Sequence, residues 1–449
     1  MHLKPSQYNL ITHRGSRSYL FNTNSLSSIS LDRTLFSHLS GLLQEIAETG
    51  HISVSDPGAV QSLQMLKKHR FVVDRDTDEL AEIRQRYTQA CTTGPLKLTI
   101  VPTLSCNMNC HYCYEGAEKN SRQWKLGAEQ WERVVEFADQ RLQPGENIIA
   151  HWFGGEPLLQ KQAIYRLSEQ LMALAERRGV AYSAWVTSNG YNLDAPTAAK
   201  LKECNVKKIQ VTFDGSKIYH DRVRFVGTER AQRGSYDRIV DNILAASDLF
   251  QFVIRLHVSP SNLDNYREMV EDLALKGLPS KVAYAAVHLV ENFDPQSRDK
   301  AHQSAPGQAF SSREFAVMEP ELLRIASEHG FKLRSPLAHA TGCMVDHKNS
   351  YLIDADGSIK QCDHYVGDPV SGYSHIDAPD VITNIDNLTR WDVDRFADKE
   401  CLSCTFFPVC LQGCLHTVID RGTENKDCPT IRSNWQEVLP LFYEAGSHY

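Results

Sequence analysis

Three cysteines, Cys106, Cys110 and Cys113, stand in the run CNMNCHYC with the spacing C-x3-C-x2-C. The opening MHLKPSQYNL has no charged n-region followed by an apolar h-region, so a reduced, cytoplasmic setting is expected. There such thiols are metal ligands or catalytic groups and not a disulfide frame. Three thiolates on one loop do not fill a four-coordinate zinc site unless His111 completes it. On a four-iron cluster, three thiolates leave one iron open to another ligand. A larger group lies downstream: Cys343, Cys362, then CLSCTFFPVCLQGC with Cys401, Cys404, Cys410 and Cys414, and finally Cys428. Taken alone, these seven suit two zinc ribbons as well as iron–sulfur clusters. Of the twelve cysteines, Cys91 and Cys204 stand outside both groups. Cys204 lies on a helical pattern ahead of a strand and reads as a packed core thiol.

Such chemistry needs elements that hold it in place. CNMNCHYC follows LKLTIVPT (96–103), the first of six apolar runs that read as strands. The others are NIIAHWF (147–153), AYSAWVT (181–187), KIQVTF (208–213), FVIRLHV (252–258) and VAYAAVH (282–288), with helical patterns between them. Alternating strands and helices predict a parallel α/β sheet, open or curled as a barrel, with its ligand chemistry at the strands' carboxyl ends. Upstream, YNLITHR (8–14) and SYLFNTN (18–24) pair across Gly15-Ser16-Arg17. A helix over 32–48 follows, with Leu35, His38, Leu39, Leu42 and Leu43 at helical spacing. Two more helices flank Phe71-Val72-Val73, giving a winged-helix layout. Residues 292–313 are polar and breaker-rich and read as a loop. Beyond about residue 340 periodicity is weak, and the region needs metal to hold it together. The predicted domains are 1–95, 96–313 and 314–449.

Composition bounds the rest. A chain of 449 residues suits about three domains of roughly 150. Hydrophobic residues at 42% and charged residues at 23% exclude whole-chain disorder and coiled coil. Lys and Arg number 48 against 55 Asp and Glu, so a net charge of −7 argues against nucleic-acid binding by charge. No apolar run approaches the ~20 residues that span a bilayer, so no membrane association is expected.

On these residues the chain resembles the radical S-adenosylmethionine (SAM) enzymes. Their signature is C-x3-C-x2-C with an aromatic before the last cysteine, here Tyr112, on a partial (β/α)6 barrel of the TIM type. The resemblance implies that Cys106, Cys110 and Cys113 hold a [4Fe–4S] cluster whose open iron is chelated by SAM. It implies as well an electron, from a low-potential donor such as flavodoxin or ferredoxin, that cleaves the sulfonium to a 5′-deoxyadenosyl radical. GGEP (Gly154, Gly155, Glu156, Pro157) matches the motif that receives the SAM amino group. Thr212 and Arg224 match positions used on the ribose and carboxylate, with Asn189 beside them and Leu256 at the adenine. The downstream cysteines resemble the SPASM domain, which holds two auxiliary [4Fe–4S] clusters. By position, Cys401, Cys404, Cys410 and Cys428 take the outer cluster, and Cys343, Cys362 and Cys414 the inner one. The inner cluster's fourth ligand stays open between a substrate group, a nearby side chain, water and Cys91. Asp363, directly after Cys362, matches a general base, and a carboxylate beside a buried cluster is expected to have a perturbed pKa.

The function so implied is a maturase that abstracts hydrogen from a ribosomally made precursor peptide and forms a C–C, C–S or C–O cross-link. The winged-helix-like domain would hold the precursor's leader by strand addition, and the basic runs 66–70 and 84–87 could attract an acidic leader. One alternative is an anaerobic sulfatase-maturating type of enzyme that oxidises Ser or Cys to formylglycine, suggested by CDHYV. A distant one is a zinc-ribbon binding protein.

Overall fold

A computed structural model of the chain describes residues 2–51, 57–113, 124–228, 230–290, 310–421 and 428–445. The N-terminal strands are β1 (Leu3–Pro5), β2 (Asn9–Arg14), β3 (Arg17–Asn22), β4 (Ser28–Asp32) and β5 (Val72–Asp74). β2, β3 and β4 form an antiparallel sheet in that order, and β1 pairs with β5. Helix α1 (Arg33–Thr49) starts on Asp32, whose carboxylate accepts from the Thr34 and Leu35 amides, and stops at Gly50 in the left-handed region. Its buried face is Phe36, Leu39, Leu43 and Ile46, so Leu35, assigned inward by spacing, points outward and is 55% exposed. Two more helices, α2 (Pro57–Lys68) and α3 (Glu79–Thr92), complete the N-terminal region.

Along β3, side chains alternate between two cores, as a two-residue period requires. Leu20 joins Leu39, Leu43, Ile46 and Phe71 in the small N-terminal core. Tyr19 and Phe21 face the other way, into the main core, with Val438, Leu439 and Phe442 of the C-terminal helix Ile431–Glu444. That helix also covers the outer side of β2, where Thr12 Oγ1 donates to the Gln436 carbonyl and Arg14 pairs with Glu444 at 2.9 Å.

The main sheet begins with β6 (Leu96–Ile100), β7 (Ile148–Trp152), β8 (Tyr182–Thr187) and β9 (Val206–Asp214). A small hairpin, β10 (Val226–Thr228) and β11 (Ala231–Arg233), precedes β12 (Gln251–Val258) and β13 (Tyr284–Leu289). β6, β7, β8, β9, β12 and β13 are neighbours in chain order and all parallel, the partial barrel expected. The helices α4 (Ala128–Arg141), α5 (Lys161–Arg178), α6 (Ala195–Glu203), α7 (Lys217–Val223), α8 (Tyr236–Ala246) and α9 (Tyr266–Leu275) lie between these strands in sequence. The strands are uniformly apolar on the core face and mixed on the other. Leu96, Leu98 and Ile100 are buried in the main core, while Thr99, His151, Trp185 and Lys208 follow one another across four strands on the opposite face. The His151 ring stacks on Trp185 at 3.4 Å, and the Lys208 ammonium lies 4.3 Å from the Trp185 ring centre.

After β13 the chain reaches α10 (Ser312–Glu328), capped by Ser311 and Glu314. Most of the predicted loop 292–313 falls outside the described residues. β14 (Ser350–Ile353) then adds to β6 in parallel, and β15 (Ser358–Lys360) and β16 (Ser374–His375) extend the same sheet to nine strands. No strand was expected beyond residue 288. Segments of two to four residues are too short to show a period, and their pairing comes from the β6 edge.

Several buried histidines set a pH limit on this fold. Burial pushes His220 down to about 3, with Arg224 adding to the effect, and pushes His288 to about 3 as well. His151 is lowered for the same reason. Their folded pKa values lie below the unfolded value of about 6.5, so the unfolded chain binds more protons between those limits. Stability is therefore full above about pH 6.5 and falls on acidification toward pH 3, each ring contributing up to about 1.4 kcal/mol per pH unit. The urea midpoint is expected to drop clearly between pH 7.5 and 5.5. A flat profile would show that these rings take up protons in the folded state.

Candidate active site and cysteine centres

The loop Cys106–Cys113 leaves the carboxyl end of β6. Met108, fully buried, bridges to Val226 of β10, and Asn109 Nδ2 donates to the Gly227 carbonyl at 3.0 Å. The next strand end lies against the backbone entering this loop. A Cβ on Gly155 would stand 2.2 Å from the Leu104 carbonyl oxygen and 2.5 Å from that of Ser105. Gly154 has φ +107°, and a Cβ there would meet Thr103 O at 2.8 Å. Only glycine permits this approach. Because the obstructing atoms are backbone, Gly155→Ala is expected to displace the Cys106 loop and strip iron from that centre. The check is iron content and melting temperature; an unchanged iron-to-protein ratio would count against it.

Glu156 is fully buried at the same strand end. Burial raises its pKa, opposed by the Asn189 and Leu158 amides and the Ser188 hydroxyl, which donate to its carboxylate at 2.7, 2.9 and 2.9 Å. The chain itself thus engages this side chain, tying β7 to β8, and Pro157 opens the short helical turn that follows. Asn189 Nδ2 donates to Asn107 Oδ1 at 2.8 Å, which sets Asn189 beside Cys106.

A second polar group closes the site. The Tyr112 hydroxyl donates to Asp214 Oδ2, and Arg224 Nη1 donates to Tyr112 Oη at 2.6 Å and to Asp214 Oδ2 at 3.1 Å. His257 Nδ1 lies 3.4 Å from Asp214 Oδ1. Burial opposes charge on Asp214, but contacts from His257, Arg224 and Tyr112 outweigh it and hold the carboxyl well below the usual range. Arg224 Nε is buried without a hydrogen-bond partner among the described residues. Thr212 lies two residues before Asp214 on β9, paired with Arg255. Leu256 packs its side chain into the main core. Sequence reasoning picked Tyr112, Thr212 and Arg224 but missed Asp214, the carboxylate that joins two of them. Its signal was available: it shares a strand face with Thr212 at the carboxyl end of the run.

Cys401, Cys404, Cys410 and Cys428 line one cavity with Phe406 and Phe407. Burial and the three neighbouring thiols push Cys410 up to about 12, and Arg432 Nη1 donates to Cys428 Sγ at 2.9 Å. Thiolates so crowded need a cationic centre to ionise together. In the other set, burial raises Cys362, with Asp363, Cys343 and Cys414 adding through their charge. Among the described residues no three such donors converge as they would on a single metal ion. Cysteines that ring a cavity fit a body with several metal atoms.

Two buried ion pairs position the second set. Arg395 donates to both oxygens of Asp346 at 2.9 and 2.6 Å and to the carbonyls of Leu411 and Gly413. Asp346 also accepts from the Cys343 amide. Lys360 pairs with Asp354, both at most 1% exposed, and donates to the Tyr365 and Asp368 carbonyls around the turn that Asp363 opens. Lys360→Met strands the Asp354 carboxylate and is expected to cost about 3–5 kcal/mol. Urea unfolding checks this, and a loss under about 1 kcal/mol would show that water reaches Asp354.

The geometry agrees with what known proteins show. Residues 100–273 match the Radical SAM superfamily model. A cysteine-type anaerobic sulfatase-maturating enzyme of Clostridium novyi (strain NT) is 24% identical over 373 residues, covering 78% of this chain and 97% of that protein. The sporulation killing factor maturation protein SkfB of Bacillus subtilis (strain 168) is 23% identical, covering 48% of this chain and 52% of that one. The solved structure of native anSMEcpe with bound AdoMet and Cp18Cys peptide has a TM-score of 0.57 at 18% identity, over 79% of this chain and 100% of that one, a likeness of fold. With a C-x3-C-x2-C loop at the end of the first of six parallel strands, inside the matched span, residues 100–273 of this chain form a radical SAM domain.

Proposed function

We propose that this enzyme modifies a ribosomally made precursor peptide, with residues 1–95 holding the leader, 96–313 the SAM site and 314–449 two auxiliary [4Fe–4S] clusters. The observation that carries the reading is the edge of the N-terminal sheet. β4 pairs only with β3 among the described residues, so one row of its backbone donors and acceptors faces away from the sheet. An extended leader can add there through main-chain hydrogen bonds. The relatives support the reading, since SkfB is named for maturation of a killing factor and anSMEcpe was solved with a peptide.

When bound, the cluster on Cys106, Cys110 and Cys113 together with SAM supplies a 5′-deoxyadenosyl radical that abstracts hydrogen. The chain's own residues do the rest. Gly154 and Gly155 let the backbone entering the Cys106 loop pack against the strand end, Asn189 borders the Cys106 side, and Asp214 holds the donors Tyr112 and Arg224 in a fixed, buried arrangement. Leu256 and its apolar neighbours exclude water. Asp363 takes a proton from the substrate as the cross-link forms, the remaining electron would pass to the auxiliary clusters, and flavodoxin or ferredoxin would deliver the separate electron that cleaves SAM. No helix among the described residues is long and apolar enough to cross a membrane.

A second reading, oxidation of Cys or Ser to formylglycine, is favoured by the sulfatase-maturating relative matched over 97% of its length. Anaerobic co-expression with each short reading frame flanking the gene decides between them. A flanking-encoded peptide lighter by two hydrogen atoms carries the first reading. An aldehyde on a sulfatase-derived Cys or Ser peptide, with no change in any flanking product, replaces it by the second. Hydrogen exchange gives an independent check: the leader should protect the amides of Ser28–Asp32, and no protection there would sink strand addition.

A further inference from the structure

We propose that Cys91, on the last turn of α3, is the fourth thiolate ligand of the inner auxiliary cluster. This rests on the reading of Cys343, Cys362 and Cys414 as that cluster's other ligands. The sequence separates Cys91 from them by 252 to 323 residues, but the fold brings it to the Cys343 turn. Cys91 Sγ donates to the Thr341 carbonyl at 3.5 Å, and a Cβ on Gly342 would stand 3.1 Å from that sulfur. The thiol therefore lies against the two residues that lead directly into Cys343. On the far side of the same turn, the Lys348 amide donates to the Cys91 carbonyl at 3.1 Å.

A helix face, and not a single contact, makes this approach. Tyr87 lies four residues before Cys91, one turn earlier on the same face of α3. Its hydroxyl donates to Asp346 Oδ1 at 2.8 Å. Asp346 caps the Cys343 amide and is gripped by Arg395, which also holds the carbonyls of Leu411 and Gly413 next to Cys414. One buried clamp thus connects α3, the Cys343 turn and the Cys414 loop. Cys204 provides the contrast: equally buried, it packs in the main apolar core. His347 is the competing donor, since its Nδ1 is buried and stands 3.7 Å from where a Gly94 Cβ would be.

Ligation would replace an exchangeable ligand on the fourth iron by an iron–sulfur bond. The thiol proton leaves to solvent, and the oxidation state of the cluster does not change. A four-iron cluster with a non-thiolate iron loses that iron under mild oxidation and becomes a paramagnetic three-iron cluster, whereas a fully thiolate-ligated one resists. The test uses the full chain, loaded anaerobically, with Cys106, Cys110 and Cys113 changed to Ala so that only the auxiliary centres contribute.

After ferricyanide treatment this parent should show almost no three-iron electron-paramagnetic signal. Adding Cys91→Ala should produce one integrating to about one cluster per chain, or lower iron by about four atoms if the inner centre is lost. Adding Cys204→Ala should do neither. Methanethiol added to a Cys91→Gly version should restore resistance, which a merely structural role for Cys91 does not predict. A strong signal already present in the parent would overturn the assignment, as would one produced by His347→Ala and not by Cys91→Ala. A parent that binds no iron would instead remove the reading of auxiliary clusters on which the proposal stands.

Discussion

Changing Cys106, Cys110 and Cys113 together to alanine is expected to abolish SAM cleavage while leaving the C-terminal centres loaded. Iron should fall by about one third, from about twelve atoms per chain to about eight, for three [4Fe–4S] units. The reason is positional. The triad follows β6 and is braced by β7, β8 and the β10 hairpin. The other seven cysteines are organised by Arg395, by Lys360 and by the cavity around Cys410. The polar contacts that hold the two sets are different, although β14 pairs with β6 and Leu104 packs with Leu352 and Val366. Deoxyadenosine production and iron-to-protein ratio are the measurements. Loss of all iron would show that the centres assemble as one unit.

Asp363→Asn is expected to slow product formation by roughly 10²–10⁴-fold while hydrogen abstraction continues, the usual scale for a lost general base. Asp363 opens the turn 363–365 directly after Cys362, and the Lys360 bonds to the Tyr365 and Asp368 carbonyls hold that turn from beneath. Asparagine keeps the shape and removes the base. Deoxyadenosine should then accumulate with little modified peptide and carry deuterium from labelled substrate. A variant with the wild-type ratio of modified peptide to deoxyadenosine would remove Asp363 from the mechanism. His364, whose ring lies 4.8 Å from that of His416, would be the next residue to change.

The barrel was legible because six apolar runs alternate with amphipathic helices, and each run became a parallel strand in chain order. The cysteine loop was legible because its spacing is local. What escaped was long-range. Lys360 and Asp354 form a fully buried pair that no pattern distinguishes from two surface residues near a turn. Arg395 looks like any charged residue until its carbonyl partners at Leu411 and Gly413 come into view. β14 escaped because its pairing depends on the β6 edge and not on its own four residues. The outward face of Leu35 escaped for a related reason, since spacing identifies a helix more surely than it identifies which of two adjacent apolar residues, Leu35 or Phe36, meets the core.

The docking of the C-terminal helix against β2 and β3 has a consequence for the order in which the chain matures. Tyr19 and Phe21 are made early, but Val438, Leu439 and Phe442 emerge about 400 residues later. At roughly 5–20 residues per second on the ribosome, that face of the N-terminal sheet waits about 20–80 s for its cover. During that interval the hairpin presents two aromatic rings and an uncovered β2 edge, the kind of surface that chaperones hold and that aggregates when crowded. Low-temperature expression, or co-expression of a holdase, should therefore raise the soluble yield more than extra iron or sulfide does. Chains stopped at residue 430 should stay bound to chaperone even when all seven downstream cysteines are present.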